Sequence, residues 1–157
     1  MSRKPRRQGT GATVWIYAAS HWIQKPDNVA GYAAIIKNRT TGESSQISGV
    51  VTDNPETTGI RAEMVAIVEA LETLPDDCTV TIWAENDFMP KAIRYEYKRK
   101  ANLDVWDRLD KQLVRHTLKR FRHEPRYFNK PAMVEAHALA QAATQPVSPT
   151  MPEVICQ

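Results

Sequence analysis

The chain has 157 residues, which is enough for one domain with a hydrophobic core and little more. Hydrophobic residues make up 42% and charged residues 25% of it, a balance typical of soluble globular proteins. No apolar run is long enough to span a bilayer and no apolar segment follows the basic N-terminus, so we expect no membrane span and no secretory signal. The two cysteines, Cys78 and Cys156, favour no disulfide framework, and we expect a cytoplasmic protein.

The net charge of +3 comes from 21 basic and 18 acidic residues, and its distribution is uneven. Four basic residues, Arg3, Lys4, Arg6 and Arg7, lie in the first ten positions without an acidic residue, and the rest of the chain is close to neutral. We expect residues 1–12 to form a disordered basic arm. Such an arm suits a phosphate backbone, and it equally suits a solubilising tail.

The first half of the chain carries strand patterns. Apolar and alternating stretches predict strands over Thr13–Ala18, Gly31–Lys37 and Ser44–Val51, separated by turns near residues 26–28 and 38–43. Because the links between these strands are short, we predict an antiparallel meander.

The second half alternates helices and strands. A helix is predicted over Arg61–Leu74 and a strand over Cys78–Ala84. The patterns that follow predict, in order, helices over Lys91–Lys100 and Leu103–His116, a strand over Leu118–His123 and a helix over Pro131–Ala143. The order βββ-α-β-α-α-β-α predicts an α/β domain (an α+β mixed sheet of five strands, with helices packed on it) over residues 13–143. We expect residues 144–157 to be a flexible C-terminal tail.

Several of these stretches resemble the type 1 ribonuclease H family. "WIYAAS" resembles that family's first strand, and "AGYAAIIKNRTTGE" its second strand and hairpin. "TTGIRAEMVAIVEAL" is similar to the helix that carries the catalytic glutamate, and "LDVWDRLDKQL" to the helix after the basic protrusion. "LKRFRHEPR" resembles the fifth strand, and "MVEAHALAQAA" the last helix. The resemblance covers residues 13–143 and implies a five-stranded ribonuclease H-like sheet.

The chemistry of this family uses four carboxylates around two divalent metal ions about 4 Å apart. The resemblance places the family's glutamate at Glu63 and its second aspartate at Glu85. The first aspartate, which bridges both metals in the family, falls on Ala19, and the last falls on His137. Two asparagines that read RNA 2′-hydroxyls fall on residues 59 and 60, a glycine and an isoleucine, and the family's Gly-His loop is missing. The resemblance therefore implies a domain that no longer cleaves.

The residue types still offer candidate ligands for a metal ion. The candidate ligands are Glu63, Glu85, Asp87, Glu135 and His137. Two carboxylates and an imidazole suit one transition-metal ion better than Mg²⁺. The sequence assigns no cofactor to an inactive protein. An active enzyme would need Asp87 or Glu135 as a substitute ligand for the missing aspartate, with Mg²⁺ or Mn²⁺ as the metal ion.

Two segments mix cations with aromatic residues, a combination that suits phosphate contact and base stacking. The first, residues 91–100, includes Tyr95 and Tyr97 and resembles a shortened basic protrusion. The second, residues 115–130, contains Arg115, Lys119, Arg120, Arg122, Arg126 and Lys130. The residues predicted to contact nucleic acid are Arg3, Lys4, Arg6, Arg7, Arg61, Lys91, Arg94, Lys98, Arg99, Lys100, Arg122 and Arg126. The plain alternative is a solvated charged surface.

Three functions follow from these patterns. The first is an inactive ribonuclease H-like protein that binds an RNA–DNA hybrid or a structured duplex. The second is a divergent metal-dependent hybrid endoribonuclease, and the third is a scaffold that binds another protein. Trp22, Trp83 and Trp106 are expected at the core or its edge, whereas Trp15 is either a core residue or a platform for a base.

Overall fold

The computed structural model describes residues 11–24, 26–124 and 130–145. The predictions for the basic arm, for Arg126 and for nearly all of the C-terminal tail fall outside these residues and stay predictions. The strands are β1 (Thr13–Ile23), β2 (Val29–Asn38), β3 (Ser44–Val51), β4 (Thr79–Ala84) and β5 (Thr117–His123). The helices are α1 (Gly59–Glu72), α2 (Phe88–Arg94), α3 (Leu103–Arg115) and α4 (Pro131–Ala143).

The five strands form one mixed sheet in the order β3-β2-β1-β4-β5. The strands β1, β2 and β3 pair as the predicted antiparallel meander, and β4 and β5 are parallel to β1. The predicted α/β class and the element order βββ-α-β-α-α-β-α are confirmed.

Each face of the sheet has its own core because side chains alternate along a strand. On one face, Ile16 and its neighbours pack under α1, α2 and α3. On the other face, Tyr17 and Ala19 pack under α4, against Met133. This helix approaches β2 closely at Gly31, where a Cβ atom would collide with the carbonyl oxygen of Ala140. The small residues on both elements therefore seat α4 directly on the sheet.

The first strand is five residues longer than predicted. Its antiparallel pairing with β2 continues to Ile23, opposite Val29, whereas its parallel pairing with β4 ends at Ala18, opposite Ala84. The polar residues beyond Ala18 suggested a strand end, but the hairpin partner continues the ladder. Ala19 consequently lies within β1, one residue past the last pair with β4.

The helix predicted over Lys91–Lys100 is present, but its predicted bounds are wrong. The helix α2 begins earlier and ends at Arg94, because Glu96 adopts a left-handed conformation with φ of 51°. The N–H of Tyr97 then donates to the carbonyl of Ala92 at 3.0 Å, a hydrogen bond that terminates helices. Helix propensity alone does not reveal this stop, since no glycine marks it. No helix in the described ranges is long and apolar enough to cross a membrane.

The tryptophans divide between core and surface. Trp106 is 3% exposed and belongs to the core under α1, as predicted. Trp15 and Trp83 are half-buried at the edge of the core under α4. Trp22 is 38% exposed, contrary to prediction, and its indole N–H donates to Asn28 at 2.9 Å.

Candidate functional site

Glu63 clamps the C-terminal end of β4. It lies on the buried face of α1 and is 1% exposed. One carboxylate oxygen accepts from the backbone N–H of Glu85 at 3.1 Å, and the other accepts from that of Asn86 at 3.3 Å. Burial, followed by the nearby charge of Glu85, raises the pKa of Glu63 well above its usual range, although the two N–H groups oppose this shift. Both oxygens are therefore engaged by the protein itself.

Glu85 faces away from that clamp, toward α4. Its Oε2 atom lies 2.9 Å from Nδ1 of His137, and its Oε1 atom accepts from the N–H of Ser20 at 3.4 Å. Partial burial raises the pKa of Glu85, while His137 and the Ser20 N–H act in the opposite direction. The strand β1 at Ser20, the end of β4 and the middle of α4 thus meet at one carboxylate.

Two further histidines surround Glu85, and the sequence interpretation missed both. His123, the last residue of β5, has Nε2 3.0 Å from the carbonyl oxygen of Glu85. The ring of His21 lies edge-on to that of His137, with 6.4 Å between centroids. A signal was available for His123, because the C-terminal ends of neighbouring parallel strands share one edge of a sheet.

Asp87 and Glu135, the candidate substitute ligands, have other surroundings. Asp87 forms a half-exposed ion pair with Lys91 at 2.8 Å, and this hydrogen bond lowers the pKa of Asp87. Glu135 is exposed on α4, two positions before His137 and so on a different side of the helix. The structure therefore brings together Glu63, Glu85 and His137 and leaves the two other carboxylates outside.

The donor set does not fit the two-metal centre that the resemblance implies. Among the described residues, no group of three or more histidine, cysteine, aspartate or glutamate side chains could hold a metal ion. Glu63 uses both oxygens on backbone N–H groups, and Glu85 is hydrogen-bonded to His137. Ala19 presents a methyl group packed against α4. We derive no catalytic step through a metal at this site.

Arg61 was predicted to contact nucleic acid, but the structure shows its guanidinium bound to other residues of the protein. Its side chain is 8% exposed and forms ion pairs with Asp53 at 2.8 Å and Asp104 at 2.7 Å. It also donates to Asn102 at 3.2 Å. The hydrogen bonds to Asp104 and Asp53 raise the pKa of Arg61, although burial opposes this shift. The same contact lowers the pKa of Asp104 to about 2. Since Asn102 and Asp104 begin α3, Arg61 fixes the position of the segment before it.

That segment, residues 95–102, is defined here as the α2–α3 loop. Tyr95 and Tyr97 are exposed and stack with ring centroids 6.2 Å apart. Lys98 and Lys100 are exposed and form no ion pair with a described carboxylate. Arg99 instead packs over Trp106 and pairs with Asp110 at 2.6 Å.

A cavity of about 240 Å³ lies behind the α2–α3 loop, against Phe88, Ala92 and Trp106. The remaining predicted cations nearby, Lys91 and Arg94, contact Asp87 and the ring of Tyr95, respectively. The loop thus presents free cations and stacked aromatic rings together on the side of the sheet that α1 covers.

Comparisons with known proteins agree with this architecture. No family model matches the chain. It is 29% identical over 103 residues to Ribonuclease H of Oleidesulfovibrio alaskensis, covering 57% of this chain and 64% of the relative. It is 30% identical over 102 residues to Ribonuclease H of Nitratidesulfovibrio vulgaris, covering 56% and 62%. Each match spans less than two thirds of the relative's length.

Solved structures resemble the chain over most of its length. The structure of LC11-RNase H1 in complex with an RNA/DNA hybrid has a TM-score of 0.62 at 21% identity, covering 84% of this chain and 99% of that one. The N-terminal RNase H domain of Rv2228c from Mycobacterium tuberculosis has a TM-score of 0.61 at 18% identity, covering 84% and 93%. Together with the strand order, these similarities show that the chain has a ribonuclease H-like fold.

Proposed function

We propose that this chain binds an RNA–DNA hybrid or a structured duplex without cutting it. The observation that carries the proposal is the internal use of Glu63, whose two oxygens both hold backbone N–H groups at the end of β4. The curated relatives are named Ribonuclease H, and one similar structure contains an RNA/DNA hybrid. We therefore propose that the chain shares a nucleic-acid partner with these relatives but does not cleave it.

The site offers too few free carboxylates for cleavage. Two-metal hydrolysis of a phosphodiester needs several carboxylates that neutralise and bridge the ions. Ala19 supplies none, and Glu85 is already hydrogen-bonded to His137. Burial raises the pKa of Glu63, and both of its oxygens already accept hydrogen bonds from backbone N–H groups.

The α2–α3 loop offers the groups that binding requires. Lys98 and Lys100 can contact phosphates, and Tyr95 and Tyr97 can pack against a sugar or a terminal base. Arg61 holds the far end of this loop through Asn102. A fixed loop with free cations suits recognition of duplex shape and backbone, the usual way in which proteins bind A-form helices.

The test is binding of a fluorescent RNA–DNA hybrid to the full chain in EDTA over a series of salt concentrations. With four to six phosphates neutralised, log affinity should fall with log salt at a slope of about −4 to −5. The double variant Lys98→Gln/Lys100→Gln should make the slope less steep by about 1.8. The charge-matched control Arg120→Gln/Arg122→Gln lies on the other face of the sheet and should leave the hybrid slope unchanged.

A salt-independent or absent interaction with the hybrid would contradict the proposal. Salt-independent association with a protein would then favour the scaffold function. The cytoplasmic location expected from the cysteine content remains part of the proposal.

A further inference from the structure

The sheet face under α4 is only partly covered by that helix. The helix packs across β1 and β2, whereas the outer part of the same face, on β4 and β5, carries no helix among the described residues. β5 is also the edge strand of the sheet. As far as residues 11–24, 26–124 and 130–145 are concerned, side chains on this part of the face are therefore available to a ligand.

The strand register aligns aromatic and basic side chains in two rows. Trp15 of β1 pairs with Thr81 of β4, and Thr81 pairs with Arg120 of β5. In the next row, Trp83 lies opposite Arg122. Because residues two apart on a strand face the same way, both rows point to the α4 side. Each row runs from a large ring to a guanidinium at the edge.

Other cations increase the positive charge of this face. A bulge in β5 adds Lys119 beside Arg120. The Arg39 guanidinium lies 4.2 Å from the centre of the Trp15 ring, and the Lys130 ammonium lies 5.1 Å from that of Trp83. None of these cations, nor Arg122, forms an ion pair with a carboxylate in the described part of the chain. The face thus combines aromatic surface with uncompensated positive charge.

A cavity of about 320 Å³ opens between the two rows. This volume is within the range of sites for small organic ligands, about 300–1,000 Å³. Its lining is Trp15, Thr81, Trp83, Lys119, Arg120 and Arg122, defined here as the sheet patch. This lining combines two indole rings with three cations, which match the flat base and the anionic phosphate of a nucleotide.

We propose that the sheet patch binds single-stranded nucleic acid. The phosphates lie along the β5 cations, and one unpaired base enters the cavity against Trp15 and Trp83. A duplex fits less well because its bases are already stacked on one another, whereas an unpaired base is free to stack on a protein ring. The site lies on the face opposite the α2–α3 loop and does not depend on the proposed hybrid binding.

The experiment compares the full chain with two charge-matched variants, Arg120→Gln/Arg122→Gln and Lys98→Gln/Lys100→Gln. A labelled 12-nucleotide oligouridylate is titrated in EDTA over several salt concentrations, with tryptophan fluorescence recorded in parallel. The arginine variant should weaken binding about tenfold or more and make the salt slope less steep by about 1.4. The lysine variant should change affinity less than about twofold. The oligonucleotide should quench tryptophan emission in the unchanged chain and in the lysine variant only.

Equal weakening by both variants would mean general charge attraction and would overturn the proposal, as would no binding at low salt. Poly-glutamate serves as the probe for an acidic protein surface, and its binding to the patch as tightly as the oligonucleotide, without quenching, would also overturn it. Failure of hybrid binding alone would contradict the proposed function and leave this inference intact. The four substituted residues, Arg120, Arg122, Lys98 and Lys100, are all exposed, and circular dichroism checks that each variant is folded.

Discussion

The Nδ1 atom of His137 lies 2.9 Å from the Oε2 atom of Glu85 and connects α4 to the end of β4. By the sequence resemblance, these two positions correspond to aspartates in the type 1 ribonuclease H family. A carboxylate paired with an imidazole holds together two elements of the protein, whereas two carboxylates repel each other unless a cation lies between them. The pair therefore gives this edge of the sheet a cohesion that needs no metal ion.

Removing the imidazole should raise the pKa of Glu85. His137 is the main group that counteracts the effect of burial on this carboxyl. In His137→Leu, Glu85 should therefore stay protonated to a higher pH than in the unchanged chain. Carbon-detected NMR of the glutamate carboxyl groups measures this directly. Glu135→Gln is the control, because Glu135 is exposed two residues away and its loss should leave the titration of Glu85 unchanged.

Glu63→Gln should change how stability depends on pH. The pKa of Glu63 is raised in the folded chain, so the folded state binds this proton more tightly than the unfolded state. Its contribution is fully present below the unfolded pKa, near 4.5, and is lost as the pH rises toward the folded pKa. The free energy of unfolding of the unchanged chain should therefore fall relative to that of Glu63→Gln above pH 4.5.

Urea unfolding of both proteins between pH 4 and pH 8 provides the comparison. The glutamine has one acceptor oxygen for two backbone N–H groups, so it carries a constant loss at every pH. Only the pH-dependent part of the difference reports on the carboxyl. A difference that stays constant over this range would show that Glu63 titrates normally.

Arg61→Lys should destabilise the fold, since a lysine cannot reach Asp53, Asp104 and Asn102 together. The two aspartates are half-exposed, so water screens part of the loss and we expect about 1–3 kcal/mol. Arg108→Lys is the matched control. Its side chain is 39% exposed, against 8% for Arg61, and it pairs with Glu72 alone, so we expect a loss below about 1 kcal/mol.

An Arg61→Gln variant checks the predicted nucleic-acid contact, because it removes the positive charge. In the structure the guanidinium faces carboxylates of the protein. The salt slope of hybrid binding should therefore be unchanged once the variant is folded. A slope less steep by about 0.9 would show that Arg61 contacts a phosphate after all.

Ala19→Asp should not restore an enzyme. Ala19 is fully buried against α4, and its partner in β2, Ala33, is equally small and buried. An unpaired carboxylate there should lower the free energy of unfolding by about 3–5 kcal/mol. Ala19→Ser, which adds one hydroxyl, should cost about 1–2 kcal/mol. A stable Ala19→Asp variant that cleaves a hybrid with Mg²⁺ would contradict our description of this position.

The fold was largely predictable because the hydrophobic periods of the strands and helices are regular. The meander and the alternating second half follow from these periods, and α4 begins at Pro131 as predicted. The failures have local causes. A left-handed residue at Glu96 ends α2, and backbone pairing with β2 prolongs β1. Neither feature is indicated by the hydrophobic pattern of the sequence.

The site was less predictable, because its contacts join residues that are distant in sequence. The positions Glu63, Glu85 and His137 were identified through the family resemblance, and they do converge in space. The internal roles of Glu63 and Arg61 depend on burial, which residue type does not indicate. The edge-strand rows of the sheet patch depend on the register between β4 and β5, and a bulge at Lys119 shifts that register.

The central claim is that the chain binds a hybrid without cutting it, and the most direct test is cleavage of an end-labelled RNA–DNA hybrid. The full chain is incubated with Mg²⁺ and, separately, with Mn²⁺, at concentrations where binding is complete in the same samples. The Glu63→Gln variant is run beside it. The account predicts bound and intact RNA in every sample, and RNA cleavage that Glu63→Gln abolishes would contradict it.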